Sequence, residues 1–382
     1  MQGVCDMKIP FNKSYLTGKE LGYMQESLES RNMVGNGVFT KKCESLMEEI
    51  FGAKKVLLTG SCTDALEMAS LLANLETDDE VIVPSFTFVS TANAFILRGA
   101  KPVFIDIRED TLNMDEMMIE DKITDKTKAI FPVHYAGVSC EMDTIMDIAK
   151  RHNLFVIEDA AQGVYATYKG RYLGAIGHLG AYSFHGTKNY TCGEGGALVI
   201  NDESLIERAE ILREKGTNRS KFLRGEIDKY TWVEVGSSFL LSDVLAAFLY
   251  AQLENLDEIN KKRKAIFDFY YENLKELENV GELRLPIIPD ECEINYHLFY
   301  ILLHSEEKRN YLMDELKSTG IQAVFHYVPL HNSPMGMKFG YKDGDLPITE
   351  SISGCLLRLP FYADLGLDEQ KFIVNMIKKI IL

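Results

Sequence analysis

The chain has 382 residues, of which 46% are hydrophobic and 26% are charged, a composition typical of a soluble globular protein. Its formal net charge of −16 argues against general binding to nucleic acids or anionic membranes, although it permits a local basic pocket. The length is sufficient for two domains.

The cysteines and histidines argue against disulfides and metal sites. The seven cysteines are scattered and include no Cys-x-x-Cys pair, and the eight histidines include no His-Glu-x-x-His motif. No signal-peptide pattern opens the sequence, and no apolar run is long enough to span a bilayer. We therefore expect reduced thiols, no metal, no membrane partner and a cytoplasmic location. The cysteines are Cys5, Cys43, Cys62, Cys140, Cys192, Cys292 and Cys355.

Short apolar runs alternate with amphipathic stretches in the first part of the chain. The runs that predict buried strands are Lys55–Thr59, Glu80–Val83, Pro102–Ile107, Lys128–Val133 and Leu154–Ile157. The stretches with helical periodicity are Asp64–Leu75, Thr87–Arg98, Asp115–Ile123 and Met142–His152. This rhythm predicts an α/β fold with a mainly parallel sheet flanked by helices. In such sheets, ligands gather at the carboxyl ends of the strands.

The last third of the chain has a different organisation. Long helices are predicted from Ser242 to about Leu277, after which a short α/β pattern begins again. Its predicted elements are the strands Tyr296–Leu303 and Ile321–Tyr327 and the helices Glu306–Ser318 and Asp368–Ile381. We predict a large domain over residues 1–250, followed by connecting helices and a small C-terminal domain over residues 251–382.

One lysine stands between an apolar segment and a glycine-rich segment. Lys188 follows Ser183-Phe184 and precedes Gly193–Gly196, so it can be held partly desolvated, with the lowered pKa that a Schiff-base lysine needs. Upstream, Asp159 ends an apolar run. An acid at one strand end followed by a lysine at the next is typical of enzymes that use pyridoxal phosphate (PLP), where the carboxylate pairs with the pyridinium nitrogen.

These residues also have simpler interpretations. A lysine beside glycines is commonly a surface residue, and an aspartate after a strand commonly caps a helix, but their joint order favours the PLP site. Gly193–Gly196 does not form a dinucleotide-binding motif, because the strand-like Ala197–Ile200 follows where a helix should begin. Gly60–Asp64 follows a strand and opens a helix, which predicts a phosphate site or an ordinary N-cap.

Three segments, Pro84–Thr91, Glu158–Gln162 and Ser183–Ala197, resemble the DegT/DnrJ/EryC1/StrS sugar aminotransferases. The resemblance extends from about Ile9 to near the C-terminus. It implies a fold-type I PLP aminotransferase fold and a homodimer in which each active site is shared between two subunits. It also implies PLP as the cofactor, with pyridoxamine phosphate as the intermediate form.

The resemblance assigns roles to individual residues. Lys188 and Asp159 are the implied catalytic residues, with His185 over the cofactor or in the substrate pocket, or in a structural role. Phe88 would stack on the cofactor ring, although an isolated phenylalanine is more often a core residue. Ser238 stands where many members have an asparagine that reaches the partner subunit's cofactor. The other implied cofactor contacts are Ser61, Cys62, Thr63, Gln162 and Ser183.

Three further segments, Arg213–Arg219, Asp228–Trp232 and Gly236–Asp243, resemble a subgroup that acts at C4 of a TDP-linked 4-keto-6-deoxyhexose. This implies L-glutamate as amino donor and a 4-amino-4,6-dideoxygalactose product for surface polysaccharides. The implied substrate contacts are Lys215, Arg219, His326, Tyr327 and His331. Simpler interpretations are a solvated loop for the basic residues and a structural role for the two histidines.

Alternative functions remain open at this stage. Within the family, they are amination at C3 or a product with the 4-amino-glucose configuration. A PLP-dependent sugar dehydratase lacks the Schiff-base lysine, so the presence of Lys188 argues against it. A PLP-binding regulatory protein without turnover is a further alternative.

Overall fold

The computed structural model describes residues 8–382, so Cys5 and the first seven positions of the predicted large domain lie outside the described residues. The strands are β1 (Lys55–Thr59), β2 (Glu80–Pro84), β3 (Lys101–Ile105), β4 (Thr127–Ile130), β5 (Phe155–Asp159), β6 (Thr167–Tyr168), β7 (Arg171–Tyr172), β8 (Leu179–Ser183), β9 (Gly196–Ile200), β10 (Cys292–Glu293), β11 (Tyr300–Leu302), β12 (Val324–Phe325) and β13 (Leu356–Arg358).

The helices lie between these strands and at both ends of the described chain. They are α1 (Glu20–Glu29), α2 (Val38–Phe51), α3 (Cys62–Leu72), α4 (Val89–Ile96), α5 (Met142–His152), α6 (Ile206–Arg213), α7 (Arg219–Leu223), α8 (Asp243–Leu253), α9 (Leu256–Asn279), α10 (Glu306–Ser318), α11 (Pro347–Cys355) and α12 (Leu367–Ile381). No helix within residues 8–382 combines the length and the apolar character needed to cross a bilayer.

A seven-stranded sheet forms the centre of the fold, in the order β1-β9-β8-β5-β4-β2-β3. Only β9 runs antiparallel to its neighbours in this sheet. Successive residues of a strand enter cores on opposite faces of the sheet: Val56 and Leu58 pack on one side, and Leu57 on the other. Because both faces are covered, the strands are apolar throughout, which is why the sequence reveals them.

The five predicted strands and the helix Met142–His152 are confirmed, with end shifts of a few residues for the strands. The prediction of a helix over Asp115–Ile123 is wrong. That segment forms two short 3-10 turns, Glu116–Met118 and Glu120–Lys122. The Asp115 carboxylate accepts the N–H of Met117, a local bond that favours a tight turn over an α-helix.

The C-terminal residues form a second unit around the antiparallel sheet β11-β13-β12. Asp106, just beyond β3, ties this unit to the central sheet. Its buried carboxylate accepts the N–H groups of Ile348 and Thr349 in the first turn of α11, at 3.0 and 2.7 Å. A carboxylate is favourable at a helix N-terminus, where unpaired N–H groups and the helix dipole converge. The domain boundary at residue 250 stays a prediction.

The N-terminal segment before α1 also joins the C-terminal unit. Ile9 pairs with Ile321, and the N–H of Phe361 donates to the Phe11 carbonyl at 3.1 Å. Further along, the side chains of Asn12 and Ser14 donate to the Gly186 carbonyl in the loop before Lys188. This segment therefore lies across the boundary between the two units, next to the predicted site.

Candidate active site

A cavity of about 570 Å³ lies at the carboxyl ends of the central strands, between the large sheet and the C-terminal unit. Two other hollows have similar volumes, about 430 and 590 Å³, but contain none of the predicted site residues. We therefore identify the first cavity as the candidate site by the residues that line it and not by its volume. The predicted residues that line the cavity are Ser61, Cys62, Thr63, Phe88, Asp159, Gln162, Ser183, His185, Lys188, His326 and Tyr327.

The pairing of β5 with β8 brings the predicted acid and the predicted lysine to one edge. The two strands are parallel neighbours, so Asp159 at the end of β5 and Lys188 in the loop after β8 open into the same cavity. Asp159 is buried, and its carboxylate accepts hydrogen bonds from the Thr91 hydroxyl at 2.7 Å and the Ala161 N–H at 3.1 Å. These donors fix the orientation of the carboxylate.

Lys188 is half-buried in the loop between β8 and β9. Burial lowers the pKa of its amine from the ordinary value, because desolvation disfavours the charged form, while nearby Cys62 and Asp159 partly oppose that shift. A lowered pKa increases the fraction of neutral, nucleophilic amine at a given pH. The structure thus provides the condition that the sequence pattern predicted for this lysine.

The N-terminus of α3 forms another part of the cavity wall. The Ser61 hydroxyl accepts the N–H of Asp64 at 3.0 Å, so Ser61 is an N-cap, and the Thr63 hydroxyl donates to Ser90 at 2.8 Å. A Cβ on Gly196 would lie 2.4 Å from the backbone nitrogen of Cys62, so only glycine allows β9 to approach this closely. The cap and the phosphate-site interpretations are compatible, since the first-turn amides remain beside the cavity.

Phe88 is not a core residue. Its side chain is 57% exposed and faces the cavity, with its ring centroid 6.5 Å from that of Tyr327. Gln162 is buried, not a surface residue: it accepts the N–H of Ala136 at 2.8 Å and donates to the Tyr327 hydroxyl at 2.9 Å. Because Gln162 follows β5 closely, this bond holds the Tyr327 hydroxyl beside the carboxyl end of that strand.

Histidines occupy the rim and the floor of the cavity. His185 is exposed and bonded to the Thr187 hydroxyl at 2.9 Å. His326 contacts the Tyr135 hydroxyl at 3.1 Å, and His297 contacts the Asn189 amide oxygen at 2.9 Å. Burial lowers the pKa of both His326 and His297 well below the usual value, so these two rings are neutral near pH 7.

His331 lies outside the cavity, and the prediction that it contacts substrate is wrong. Its side chain is fully buried, with Nδ1 bonded to the Ser85 hydroxyl at 2.8 Å and Nε2 bonded to Glu350 at 2.9 Å. Both ring nitrogens are therefore occupied. The histidine pair separates into His326, which lines the cavity, and His331, which joins β2 to α11.

The predicted basic segment is not a concentrated positive patch. Arg213 is buried and paired with Glu44 at 2.5 Å, Arg219 pairs with Glu214 at 2.9 Å, and Arg224 pairs with Glu210 at 2.8 Å. Lys215 and Ser238 are exposed, and neither they nor Arg219 line the cavity of their own subunit. The predicted contact of Ser238 with the partner subunit's cofactor and those of Lys215 and Arg219 with the sugar nucleotide stay predictions.

Sequence reasoning missed several residues that line the cavity, among them Phe11, Asn12, His297 and Arg358. The sequence around Phe11, Asn12 and His297 contains no pattern that would indicate a place in a cavity wall. Arg358 gives one: it is a single cation within the apolar run Leu356-Leu357-Arg358-Leu359-Pro360. A charge inside an otherwise buried strand is uncommon and points to a specific contact.

Comparisons with known proteins find relatives over nearly the whole chain. The DegT/DnrJ/EryC1/StrS aminotransferase family model matches residues 15–378. The chain is 35% identical to the spore coat polysaccharide biosynthesis protein SpsC of Bacillus subtilis, over 98% of this chain and 97% of SpsC. It is 33% identical to GDP-perosamine synthase of Escherichia coli O157:H7, over 97% of this chain and 98% of the synthase.

Solved structures show the same fold. Spr1654 of Streptococcus pneumoniae in its PLP form superposes with a TM-score of 0.89 at 26% identity, covering 98% of both chains. The PMP form of Spr1654 gives a TM-score of 0.90 with the same coverage. The similarity therefore extends over both units of the chain.

Replacing Thr91 by Val should destabilise the protein, because a buried carboxylate would lose a hydroxyl donor. A hydrogen bond to a charged group contributes about 1.5–3 kcal/mol. Thr87→Val is the matched control, since Thr87 bonds to the Thr91 hydroxyl at 2.8 Å and not to Asp159. Urea unfolding of the cofactor-free protein should show a larger loss for Thr91→Val, and equal losses would contradict a charge-assisted bond.

Proposed function

The chain belongs to the DegT/DnrJ/EryC1/StrS aminotransferase family, and from that premise we propose that it transfers the amino group of L-glutamate to C4 of TDP-4-keto-6-deoxy-D-glucose. The product would be TDP-4-amino-4,6-dideoxy-D-galactose, a precursor of surface polysaccharides. At the level of the family, the protein is a PLP-dependent sugar aminotransferase. The finer assignment of sugar, carbon and donor is the proposal.

The observation that carries the function is the convergence of Asp159 and Lys188 in one cavity. A buried carboxylate with fixed donors and a desolvated amine at the same sheet edge fit the pyridine nitrogen and the aldehyde of PLP. The N-terminus of α3 beside them fits the phosphate. Bound there, PLP supplies an aldehyde carbon for the transferred amino group and a ring that withdraws electrons.

The chain's own residues then have distinct tasks. We assign Asp159 to keep the ring nitrogen protonated, which requires a carboxylate that stays ionised and correctly oriented. Lys188 takes the proton from the substrate carbon that bears the amino group, and its amine returns a proton later. Phe88, exposed to the cavity, offers a flat apolar surface to a planar ring. Ser61, Cys62, Thr63 and Ser183 are assigned to the phosphate.

The nucleotide sugar is supported by the resemblance in three segments, by the relatives and by the cavity. The name of GDP-perosamine synthase refers to a nucleotide-sugar product, and the name of SpsC refers to polysaccharide biosynthesis. A cavity of about 570 Å³ that opens to solvent can admit a hexose with its diphosphate outside. His326 and Tyr327 would line the sugar subsite, with His185 at the rim.

We further propose that the protein forms a homodimer. The segment from Glu214 to Ser238 folds back on itself through the bridges Glu214–Ser238 and Thr217–Trp232. It presents apolar side chains to solvent, including Trp232 at 75% exposure and Val235 at 63%. Such a surface is typical of a protein interface. In a dimer it would carry Ser238, Lys215 and Arg219 towards the partner subunit's cavity.

The sugar assignment is tested with the purified protein, PLP, L-glutamate and a panel of keto-sugars. The panel contains TDP-linked 3-keto and 4-keto sugars and a GDP-linked 4-keto sugar, and NMR identifies the position and configuration of the new amine. We expect the axial amine at C4 of the TDP sugar. An amine at C3, an equatorial amine at C4, or turnover of the GDP sugar alone would reject this assignment.

Lys188→Ala should abolish the visible absorption of lysine-bound PLP and lower transamination by several orders of magnitude, because it removes both nucleophile and proton carrier. Lys261→Ala, at a separate hollow beside α9, is the matched control. Absorption spectra and product formation are measured together. Near wild-type turnover by Lys188→Ala, or a PLP-bound wild type that never reacts with an amino donor, would favour the regulatory alternative.

Arg219→Ala should weaken binding of TDP in the dimer by about 1.5–3 kcal/mol, the contribution of a charge-assisted hydrogen bond. Arg224→Ala is the control from the same segment, since Arg224 pairs with Glu210 and Glu226. The glutamate half-reaction involves no diphosphate and should keep its rate. If TDP affinity is unchanged, the segment is a solvated loop; if both half-reactions slow equally, Arg219 supports the fold or the dimer.

A further inference from the structure

His297, in the segment between β10 and β11, is a neighbour of Lys188. It lines the main cavity, and it also lines a second hollow of about 10 Å³ whose wall includes Lys188 and Asn189. That volume is roughly enough for one water molecule. Residues around so small a space are in close proximity, so the histidine ring lies within reach of the lysine side chain.

The backbone before His297 is held in a strained conformation. Tyr296 has a φ of 51°, in the left-handed region that bulky residues rarely occupy. The buried Arg263 fixes this turn, since its Nε donates to the Tyr296 carbonyl at 2.8 Å and its Nη2 to the His297 carbonyl at 2.6 Å. Burial lowers the pKa of Arg263 to about 10, because desolvation disfavours the charged form. The position of His297 is thus fixed at a cost in stability, and strain of this kind is concentrated at functional sites.

The hydrogen bonds of Asn189 determine which ring nitrogen of His297 carries a hydrogen. Nδ2 of Asn189 donates to the Asn295 carbonyl at 2.7 Å, so the amide oxygen of Asn189 faces Nδ1 of His297 at 2.9 Å. An amide oxygen only accepts, so Nδ1 is the donor. Burial lowers the pKa of His297 well below the usual value, so the ring is neutral near pH 7 and Nε2 has a free lone pair.

Nε2 of His297 and the amine of Lys188 both lack a hydrogen-bond partner within the part of the chain that the structure describes. One is an acceptor and the other is a donor. The titratable groups that act on His297 are, in order of effect, Lys188, Arg263, Arg358 and His326. The flexible four-carbon chain of a lysine can bring its amine to a neighbouring acceptor.

We propose that Nε2 of His297 accepts a hydrogen bond from the Lys188 amine whenever that amine is not bonded to the cofactor. His297 is then a positioning residue for the proton carrier. This rests on the proposed function, because it takes Lys188 as the residue that moves the substrate proton. The bond selects one of the many conformations of a lysine side chain and so directs the rest of the amine towards the substrate. The proton stays on Nζ, since a neutral ring with so low a pKa does not take it.

The other polar groups that act on the amine do not provide this bond. The carboxylate of Asp159 already accepts two hydrogen bonds and is assigned to the ring nitrogen of the cofactor. Burial raises the pKa of the Cys62 thiol well above its usual value, so the thiol is neutral and is a weak acceptor. Arg358 is a cation without an acceptor, and it disfavours the charged form of the amine.

Two substitutions separate the roles of the two ring nitrogens. An asparagine side chain places its amide group near the position of Nδ1, so His297→Asn can keep the bond to Asn189 but has no atom at the position of Nε2. A glutamine side chain is one methylene longer, so His297→Gln places an amide oxygen near the position of Nε2 and gives up the bond to Asn189. Support of the loop alone therefore makes asparagine the better replacement, whereas the proposed contact makes glutamine the better one.

The test measures the ionisation of Lys188 in the cofactor-free protein. Trace labelling with acetic anhydride over a series of pH values, followed by mass spectrometry of the peptide that contains Lys188, gives the midpoint for its amine. An acceptor stabilises the protonated amine, so loss of the acceptor lowers the pKa. We expect the midpoint to fall by about 0.5–1 pH unit in His297→Asn, the effect of one hydrogen bond, and to stay within about 0.3 unit of wild type in His297→Gln. His304→Asn, at an exposed position outside the cavity, is the control.

A second measurement uses the PLP-loaded protein and follows the glutamate half-reaction. A misdirected amine slows proton transfer but leaves substrate binding intact. The rate at saturating glutamate should therefore fall about tenfold or more in His297→Asn, with the KM for glutamate within about twofold of wild type. His297→Gln should recover most of the rate.

Other outcomes overturn the proposal. An unchanged midpoint in His297→Asn shows that Nε2 does not contact the amine. A larger shift in His297→Gln than in His297→Asn assigns the effect to the bond with Asn189, and equal shifts in both variants reject the acceptor role as well. The labelling needs neither cofactor nor substrate, so failure of the proposed function is a separate result: near wild-type turnover by Lys188→Ala rejects the proton carrier, and with it the role of His297, even where labelling shows the contact.

Discussion

The site depends on the parallel pairing of β5 with β8. In this register Glu158 lies opposite Gly180 and Asp159 opposite Ala181, so both strands reach the same sheet edge together. Glu158 locks the end of β5: its buried carboxylate accepts the N–H groups of Gly174, Ile176 and Gly177 and contacts His134. The two consecutive acidic side chains thus point to opposite faces of β5. Glu158 anchors the strand, and Asp159 lines the cavity.

The sequence predicts what depends on local patterns. Buried strands are continuous apolar runs, and the acid and lysine at their ends follow from the order of those strands. A strand followed by a small polar segment and a helix is also a local signal, and at Gly60–Asp64 it predicts either a phosphate site or an ordinary N-cap at the start of α3. The structure confirms the strands, which are recognisable as apolar runs because both faces of the sheet are covered.

Long-range contacts were harder to predict. His331 and His326 are five positions apart and look equivalent in the sequence, yet only the fold shows that Ser85 and Glu350 occupy both nitrogens of His331. The basic segment looked like an anion site because its cations were counted without their acidic partners: Glu44 lies far away in the chain, but Glu210 and Glu214 lie just before the segment or within it. Charge counted along a sequence therefore overstates the local field wherever tertiary contacts pair the charges.

The cavity wall is assembled from both ends of the chain. Phe11 covers Arg358, Phe361 binds the Phe11 backbone, and Asn12 with Ser14 reaches the loop before Lys188. During synthesis, the N-terminal segment emerges first, but the strand that it contacts emerges among the last residues. The central sheet, with Asp159 at the end of β5, can fold earlier, so a nascent or C-terminally truncated chain would present an open half of the cavity. Full enclosure is thus a property of the completed polypeptide.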